Sequence, residues 1–201
     1  MYGPVIQGKL VRLRPPRPEE AAQMASWFED LEVTERLLRR FPPTLAQEQE
    51  WLEKSGKDAN TIIWAVEFDG RLVGVTGIHD IDWAQQHAVT GTLIGDKSAW
   101  RKGLAGELMQ LRTEFAFRQL TLRKLNSGYV EGNEASWRAQ RKSGYREVGR
   151  RRQEQFRDGR WLDLVMTEVL REDWAAAGGA QRPKATEAGP AARGRPAARR
   201  R

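Results

Sequence analysis

The stretch Asp96-Lys97-Ser98-Ala99-Trp100-Arg101-Lys102-Gly103-Leu104-Ala105-Gly106-Glu107 decides how this chain folds. It closes a strand-like run, Val89-Thr90-Gly91-Thr92-Leu93-Ile94, and opens a helix-like run reaching about residue 117. Small residues at Gly103, Ala105 and Gly106 let main-chain N–H groups come close to an anion. The helix behind them adds roughly half a positive charge at its N-terminus. Such a turn suits a pyrophosphate. A P-loop would need a Gly-Lys-Ser/Thr ending, which is missing, and a dinucleotide fingerprint would need G-x-G-x-x-G, which Gly103-Leu104-Ala105-Gly106 does not match.

Outward from this turn, the pattern alternates strands with amphipathic helices. Residues 9–14 alternate as a strand; Ala21, Met24, Ala25 and Phe28 recur at helical spacing behind Pro18. Thr44 with Gln47 three residues later reads as a capping box opening a second helix. Ile62, Trp64, Val66 and Phe68 line one face of a strand that turns at Asp69-Gly70 and returns over residues 71–78. After the anion turn, Leu104, Leu108, Leu111 and Phe115 form an apolar stripe. A strand at 125–130, a helix from Asn133 and a closing hairpin about Asp158-Gly159 complete the order β-α-α-β-β-β-α-β-α-β-β. This is an α/β chain, with a mixed sheet of about seven strands flanked by about four helices.

The 201 residues are 39% hydrophobic, enough for one domain with a real core. No run reaches eighteen apolar residues, so no membrane span is expected, and the first residues do not read as a signal segment. Cysteine is absent, which excludes disulfides, a thiol nucleophile and cysteine-ligated zinc, and agrees with a cytoplasmic location. The net charge of +7 is unevenly placed: residues 175–201 carry seven basic residues against Glu187 and account for six of the seven charges. The domain is therefore drawn over residues 1–174. Residues 175–201 are expected to be a disordered basic Ala/Gly/Pro/Arg tail, which offers only weak support for a nucleic-acid contact.

Two segments together resemble a known family. Trp100, Gly103 and Ala105 fall at the first, fourth and sixth places of motif A of the GNAT superfamily of acyl-CoA N-acyltransferases, [Q/R]-x-x-G-x-[G/A]. Asn133, Ser136, Lys142, Gly144 and Tyr145 fall in register with motif B. The opening Gly8-Lys9-Leu10-Val11-Arg12-Leu13-Arg14-Pro15 and the hairpin Phe156-Arg157-Asp158-Gly159-Arg160-Trp161-Leu162-Asp163 resemble the branch of ribosomal-protein alanine and spermidine N-acetyltransferases. The likeness covers about residues 7–174. It implies two central strands that splay apart to admit acetyl-CoA as co-substrate, with no metal, and an acceptor that is a protein N-terminus or an amine-bearing small molecule such as a polyamine or aminoglycoside. A non-catalytic acyl-CoA-binding module remains the alternative. Dimers are common among such relatives, which leaves a homodimer open.

The resemblance also implies roles. Leu93 and Ile94 would offer main-chain contacts to the pantetheine arm. Amides of Arg101, Lys102, Gly103, Leu104, Ala105 and Gly106 would hold the pyrophosphate, Asn133 would reach the pantetheine, and Ser136 would approach the sulfur. Many members place a tyrosine acid where this chain has Gln140, which cannot donate an acidic proton, so Ser136 is the candidate acid. His79, at the end of its strand, is the first candidate base because it titrates in the useful range. Asp80 and Glu131 follow. The acids between Glu29 and Glu35 would draw a cationic amine.

Overall fold

The computed structural model describes residues 1–179; most of the basic tail lies outside them. Eight strands form one sheet: β1 (Ile6–Gln7), β2 (Arg12–Arg14), β3 (Ile62–Phe68), β4 (Arg71–Asp82), β5 (His87–Ile94), β6 (Lys124–Val130), β7 (Arg146–Arg157) and β8 (Arg160–Leu170). Their order is β1-β2-β3-β4-β5-β6-β8-β7. Helices α1 (Ala21–Ser26), α2 (Leu31–Thr34) and α3 (Leu45–Lys57) precede β3. Helix α4 (Leu104–Gln119) joins β5 to β6, α5 (Glu134–Lys142) joins β6 to β7, and α6 (Arg171–Trp174) follows β8. No helix among the described residues is long and apolar enough to cross a membrane.

The turn chemistry behaves as the residues dictate. Asp69-Gly70 and Asp158-Gly159 both take positive φ at each position (50° and 71°, 46° and 74°), the paired left-handed geometry that tight hairpins need. Thr44 and Gln47 exchange side-chain and main-chain bonds at 3.2 and 2.9 Å, closing the box at the start of α3. Alternation along the strands separates two cores. On one face Leu104 and Leu108 of α4 are buried with Trp64, Ile78 and Leu125 of the strands, whereas on the other Met24 of α1, Trp27 and Leu52 of α3 are buried with Ile63 and Ala65.

Three expectations shift. The strand expected at residues 9–14 is confined to Arg12–Arg14, and the short β1 pairs with it to make the eighth strand. Its lead-in is instead a turn gripped by Glu107, whose carboxylate accepts the main-chain amides of Lys9, Leu10 and Val11 at 2.6, 2.7 and 2.9 Å. The return strand runs on to Asp82 through a bulge between His79 and Asp82, so His79 lies inside β4 rather than at its end.

Central to the sheet is an incomplete pairing. β5 and β6 run parallel, yet only His87, Ala88 and Val89 pair with Lys124, Leu125 and Asn126. Beyond Val89 the strands part. Ser127 and Thr90 tie the apex, the serine hydroxyl donating to the Thr90 carbonyl at 3.1 Å. Past it, Gly91, Thr92, Leu93 and Ile94 are all half-exposed, although their strand sits in the middle of an eight-stranded sheet. The expected wedge is present.

Candidate active site

One wall of the wedge is β5. Gly95 N–H donates to the Val73 carbonyl at 2.9 Å, which fixes the alternation of the antiparallel ladder with β4. Leu93 and Gly91 therefore turn their main-chain groups toward β4, while Ile94, Thr92 and Thr90 turn theirs toward the wedge. The Thr90 carbonyl bonded to Ser127 agrees with this phase. Of the two strand residues expected to make contacts, Leu93 has its main-chain groups on the β4 side, while those of Ile94, and of Thr92 beside it, face the wedge. The Ile94 carbonyl already accepts the Trp100 indole N–H at 2.9 Å, which leaves its amide for a ligand.

At the open end of β5 the chain makes a short 3-10 turn, Lys97–Ala99, and then the anion turn. Arg101 has φ 62° and Gly103 φ 82°, both left-handed, around a single intervening residue. Successive amides bent in this way form a concave nest for an anion. Gly103 is the N-cap of α4 and supplies no side-chain cap. Among the described residues, the amides of Arg101, Lys102, Gly103, Leu104 and Ala105 have no main-chain acceptor. The Gly106 amide, by contrast, bonds the Gly103 carbonyl at 3.1 Å and is occupied. Lys102 does not point into the nest: its ammonium sits 5.0 Å from the centre of the Phe68 ring. Lys142 runs past the nest instead, its Cδ 3.7 Å from where a Cβ on Gly106 would lie.

The other wall is β6 with α5. Asn133 caps α5, its Oδ1 accepting the Ser136 amide at 3.1 Å, so the ring of motif B is anchored and the amide NH2 of Asn133 remains for a ligand. Ser136 is half-buried in the first turn of α5, and its Oγ accepts a bond from Gln140 at 3.0 Å. Tyr145 is buried at the apex, where its hydroxyl meets Thr90 Oγ1 at 3.1 Å.

Opposite faces of the sheet carry two further groups at this apex. On the α4 face lies Arg112, wholly buried, giving bonds to Thr76 Oγ1, Thr92 Oγ1 and the Gly91 carbonyl at 2.8, 2.8 and 2.7 Å. No carboxylate pairs with it among the described residues, and sequence reading gave no sign of it. On the α1/α3 face lies His79. Its Nε2 would be 2.5 Å from a Cβ on Gly77 and 3.7 Å from one on Gly91, so the ring covers two glycines beside the narrow end of the wedge. Burial, and then the charge of Arg112, push the imidazole below its usual range; Asp80 and Asp58 push the other way. Asp80 itself is exposed in the bulge at φ 50°, on the closed side of the apex, and does not join the wedge.

Near the open end of β6 is a cavity of about 170 Å³ whose lining includes Glu35, Glu131 and Asp158 together with Arg36, Arg157 and Arg160. Arg157 builds its roof. It is buried, and its Nε and Nη2 reach the carbonyls of Glu35 and Leu37 at 3.0 and 2.8 Å, tying the loop after α2 to the β7–β8 hairpin. Of the acids expected to draw an amine, Asp30 and Glu32 are spent on Lys97 at 2.6 and 2.9 Å, and Glu35 lines the cavity. Glu131 lines it too, bonded to Arg150 at 3.4 Å.

Comparison with known proteins agrees with this geometry. Residues 11–146 match the acetyltransferase (GNAT) domain family. The chain is 28% identical over 117 residues to YdaF of Bacillus subtilis (strain 168), provisionally named a ribosomal N-acetyltransferase; the match spans 58% of this chain and 63% of that protein. It is 30% identical over 130 residues to YjcK of the same organism, named a probable N-acetyltransferase, spanning 64% and 70%. Among solved structures, the spermidine N-acetyltransferase of Vibrio cholerae in complex with CoA and spermine superposes with a TM-score of 0.77 at 18% identity, covering 84% of this chain and 99% of that one. RimL, a ribosomal L7/L12 alpha-N-protein acetyltransferase in complex with coenzyme A, gives 0.74 at 14%, covering 83% and 98%. At these identities the two structures establish the shared fold.

Proposed function

The chain belongs to the GNAT acetyltransferase family, and from that premise we propose that it transfers acetyl from acetyl-CoA directly to a primary amine in a ternary complex. One observation carries the reading. The gap between β5 and β6 opens in line with a nest of unpaired amides at the start of a sixteen-residue helix. A pantetheine arm adds to a free strand edge, and a pyrophosphate suits a nest on a helix N-terminus. Acetyl-CoA supplies an activated acyl group on a thiol leaving group.

The residues of the chain divide the remaining work. Amides of Arg101 to Ala105 bind the pyrophosphate; Thr92 and Ile94 main-chain groups and the Asn133 amide hold the arm. A strand amide facing the wedge stabilises the oxyanion formed as the new C–N bond is made. His79, whose pKa burial lowers, stands at the narrow end of the wedge and accepts the proton that the amine sheds through intervening water rather than by direct contact. Ser136 donates its hydroxyl proton toward the sulfur as the C–S bond breaks. Hydrogen bonding alone goes far here, because a thiol titrates near about 8.5.

The cavity beside Val130 would take the acceptor: Glu35, Glu131 and Asp158 offer carboxylates to an ammonium, in competition with Arg36, Arg157 and Arg160 of the same lining. Relatives named for ribosomal proteins and for spermidine support two acceptor classes, a protein N-terminus and a polyamine. Cytoplasmic acetyl-CoA would serve either. The test is release of CoA thiol with a panel of N-terminal peptides, polyamines and aminoglycosides, alongside calorimetry with CoA. Turnover on one class is the expected result. CoA binding with no turnover on any amine would favour a binding module, and no CoA uptake by folded protein would overturn the reading.

A further inference from the structure

We infer that Gln140 is a positioning residue that fixes which way the Ser136 hydroxyl proton points. The inference rests on the proposed acid role of Ser136. Gln140 stands one helical turn beyond Ser136 on α5 and is 1% exposed. Its amide nitrogen lies 3.0 Å from Ser136 Oγ and 3.3 Å from the Gly128 carbonyl on β6, and its amide oxygen accepts the Thr167 hydroxyl on β8. Three elements therefore hold one planar group.

The direction of those bonds follows from what each partner is able to do. The Gly128 carbonyl has no proton to give, so the NH2 end of Gln140 must face it, and the same NH2 faces Ser136. Ser136 Oγ is then an obligate acceptor from Gln140, and its own proton turns elsewhere. A serine within a helix would commonly return that proton to a carbonyl one turn back. Ser136 is in the first turn, where the residue one turn back is Gly132, outside the helix; the Gly132 carbonyl already accepts Arg36. Among the described residues no acceptor takes the Ser136 proton, and Ser136 is only half-buried, beside Asn133. Gln140 thus supplies direction and Ser136 the contact with sulfur.

The decisive experiment is a double-mutant cycle, read in kcat and in KM for acetyl-CoA, using the amine that the panel identifies. Gln140→Met removes the donor at similar length. With Ser136 intact it should lower kcat about ten-fold while KM for acetyl-CoA moves less than about two-fold, the scale of one lost neutral hydrogen bond felt at the reacting centre. In a Ser136→Ala background the same change should cost nothing further in kcat. Gln140→Glu should be at least as slow as Gln140→Met, because a carboxylate captures the serine proton instead of releasing it. Should Gln140→Met not fold, Thr167→Val loosens the amide from its far side and must show the same dependence on Ser136. Equal loss in kcat with and without Ser136 would overturn the positioning role while leaving the acid role standing. Ser136→Ala at unchanged kcat would overturn both.

Discussion

The indole N–H of Trp100 donates to the main-chain carbonyl of Ile94 at 2.9 Å, so the first residue of motif A is bonded back to the last residue of the strand that leads into it. The bond sets the angle between the β5 wall of the wedge and the anion nest. Trp100→Phe keeps most of the ring's contact with the α1/α3 core and removes only the donor. Loss of a bond worth about 1 kcal/mol should weaken CoA binding roughly five-fold. Calorimetry with CoA measures this; unchanged affinity would mean that the nest keeps its place without Trp100.

Gly103 and Gly106 should respond differently to alanine. Gly103 sits at φ 82° with nothing within 4 Å of an added Cβ, so Gly103→Ala meets no clash but pays about 1–2 kcal/mol for a left-handed conformation. Melting temperature and CoA affinity should both fall. Gly106 lies within α4, where alanine gains up to about 1 kcal/mol of helix propensity and meets Lys142 only at ordinary contact distance. Gly106→Ala should therefore raise the melting temperature while lowering CoA affinity, since the new methyl stands beside the nest. If affinity rises with stability, the pyrophosphate does not approach that turn.

Glu107 holds three consecutive amides of the segment before β2. Glu107→Ala leaves them without their acceptor and should cost about 2–4 kcal/mol, given that bonds to a charged group contribute more than neutral ones. Glu107→Gln should recover part of that, as one amide oxygen remains. Thermal melts rank the three proteins, and hydrogen exchange at residues 9–11 locates the effect.

Much of this architecture was legible because it is written locally. Asp69-Gly70 and Asp158-Gly159 demand hairpins, Thr44 with Gln47 demands a helix start, and Gly103 marks the left-handed cap before α4. Groups that meet across the fold were not legible. Nothing in the local sequence marks Arg112, yet it is buried against Thr76 and Thr92, each separated from it by at least twenty positions. Gln140 reads as a missing tyrosine, and only Gly128 and Thr167 reveal what it does instead. The bulge that carries β4 past His79 has no signature such as a glycine at Asp80, so the strand runs four residues beyond the end that its sequence pattern suggests.

Arg112 is a buried guanidinium that bonds hydroxyls and a carbonyl but no carboxylate. Arg112→Leu would take one donor from Thr76, Thr92 and the Gly91 carbonyl, while the Thr76 hydroxyl still meets the Gly91 carbonyl and Thr92 Oγ1, each at 3.0 Å; the cost of a buried charge is exchanged for a partly satisfied polar cluster. Loss of these bonds should destabilise by about 1 kcal/mol, the scale of a hydrogen bond among groups that remain partly satisfied. Urea denaturation measures it. Because Thr92 and Gly91 belong to the wedge wall, CoA affinity should fall as well; a protein equally stable after the change would show that the buried charge carries no net benefit.

His79 supplies the pH dependence. Its folded state holds the proton less tightly than the usual value of about 6.5, chiefly through burial and secondly through Arg112 on the opposite face, with Asp80 and Asp58 acting in the other direction. The unfolded chain therefore binds a proton first as pH falls. Stability from this group is complete above about pH 6.5, declines as pH drops toward the folded-state value, and levels off below it. His79→Gln removes the titration, so the loss of melting temperature between about pH 7.5 and 5.5 should shrink in the variant. The same shift keeps the ring neutral at neutral pH, and the acid limb of kcat/KM should fall below about 6.5 and vanish with His79→Gln. An acid limb that survives His79→Gln would hand the proton to another group, and Glu131, beside the cavity, is the next to test.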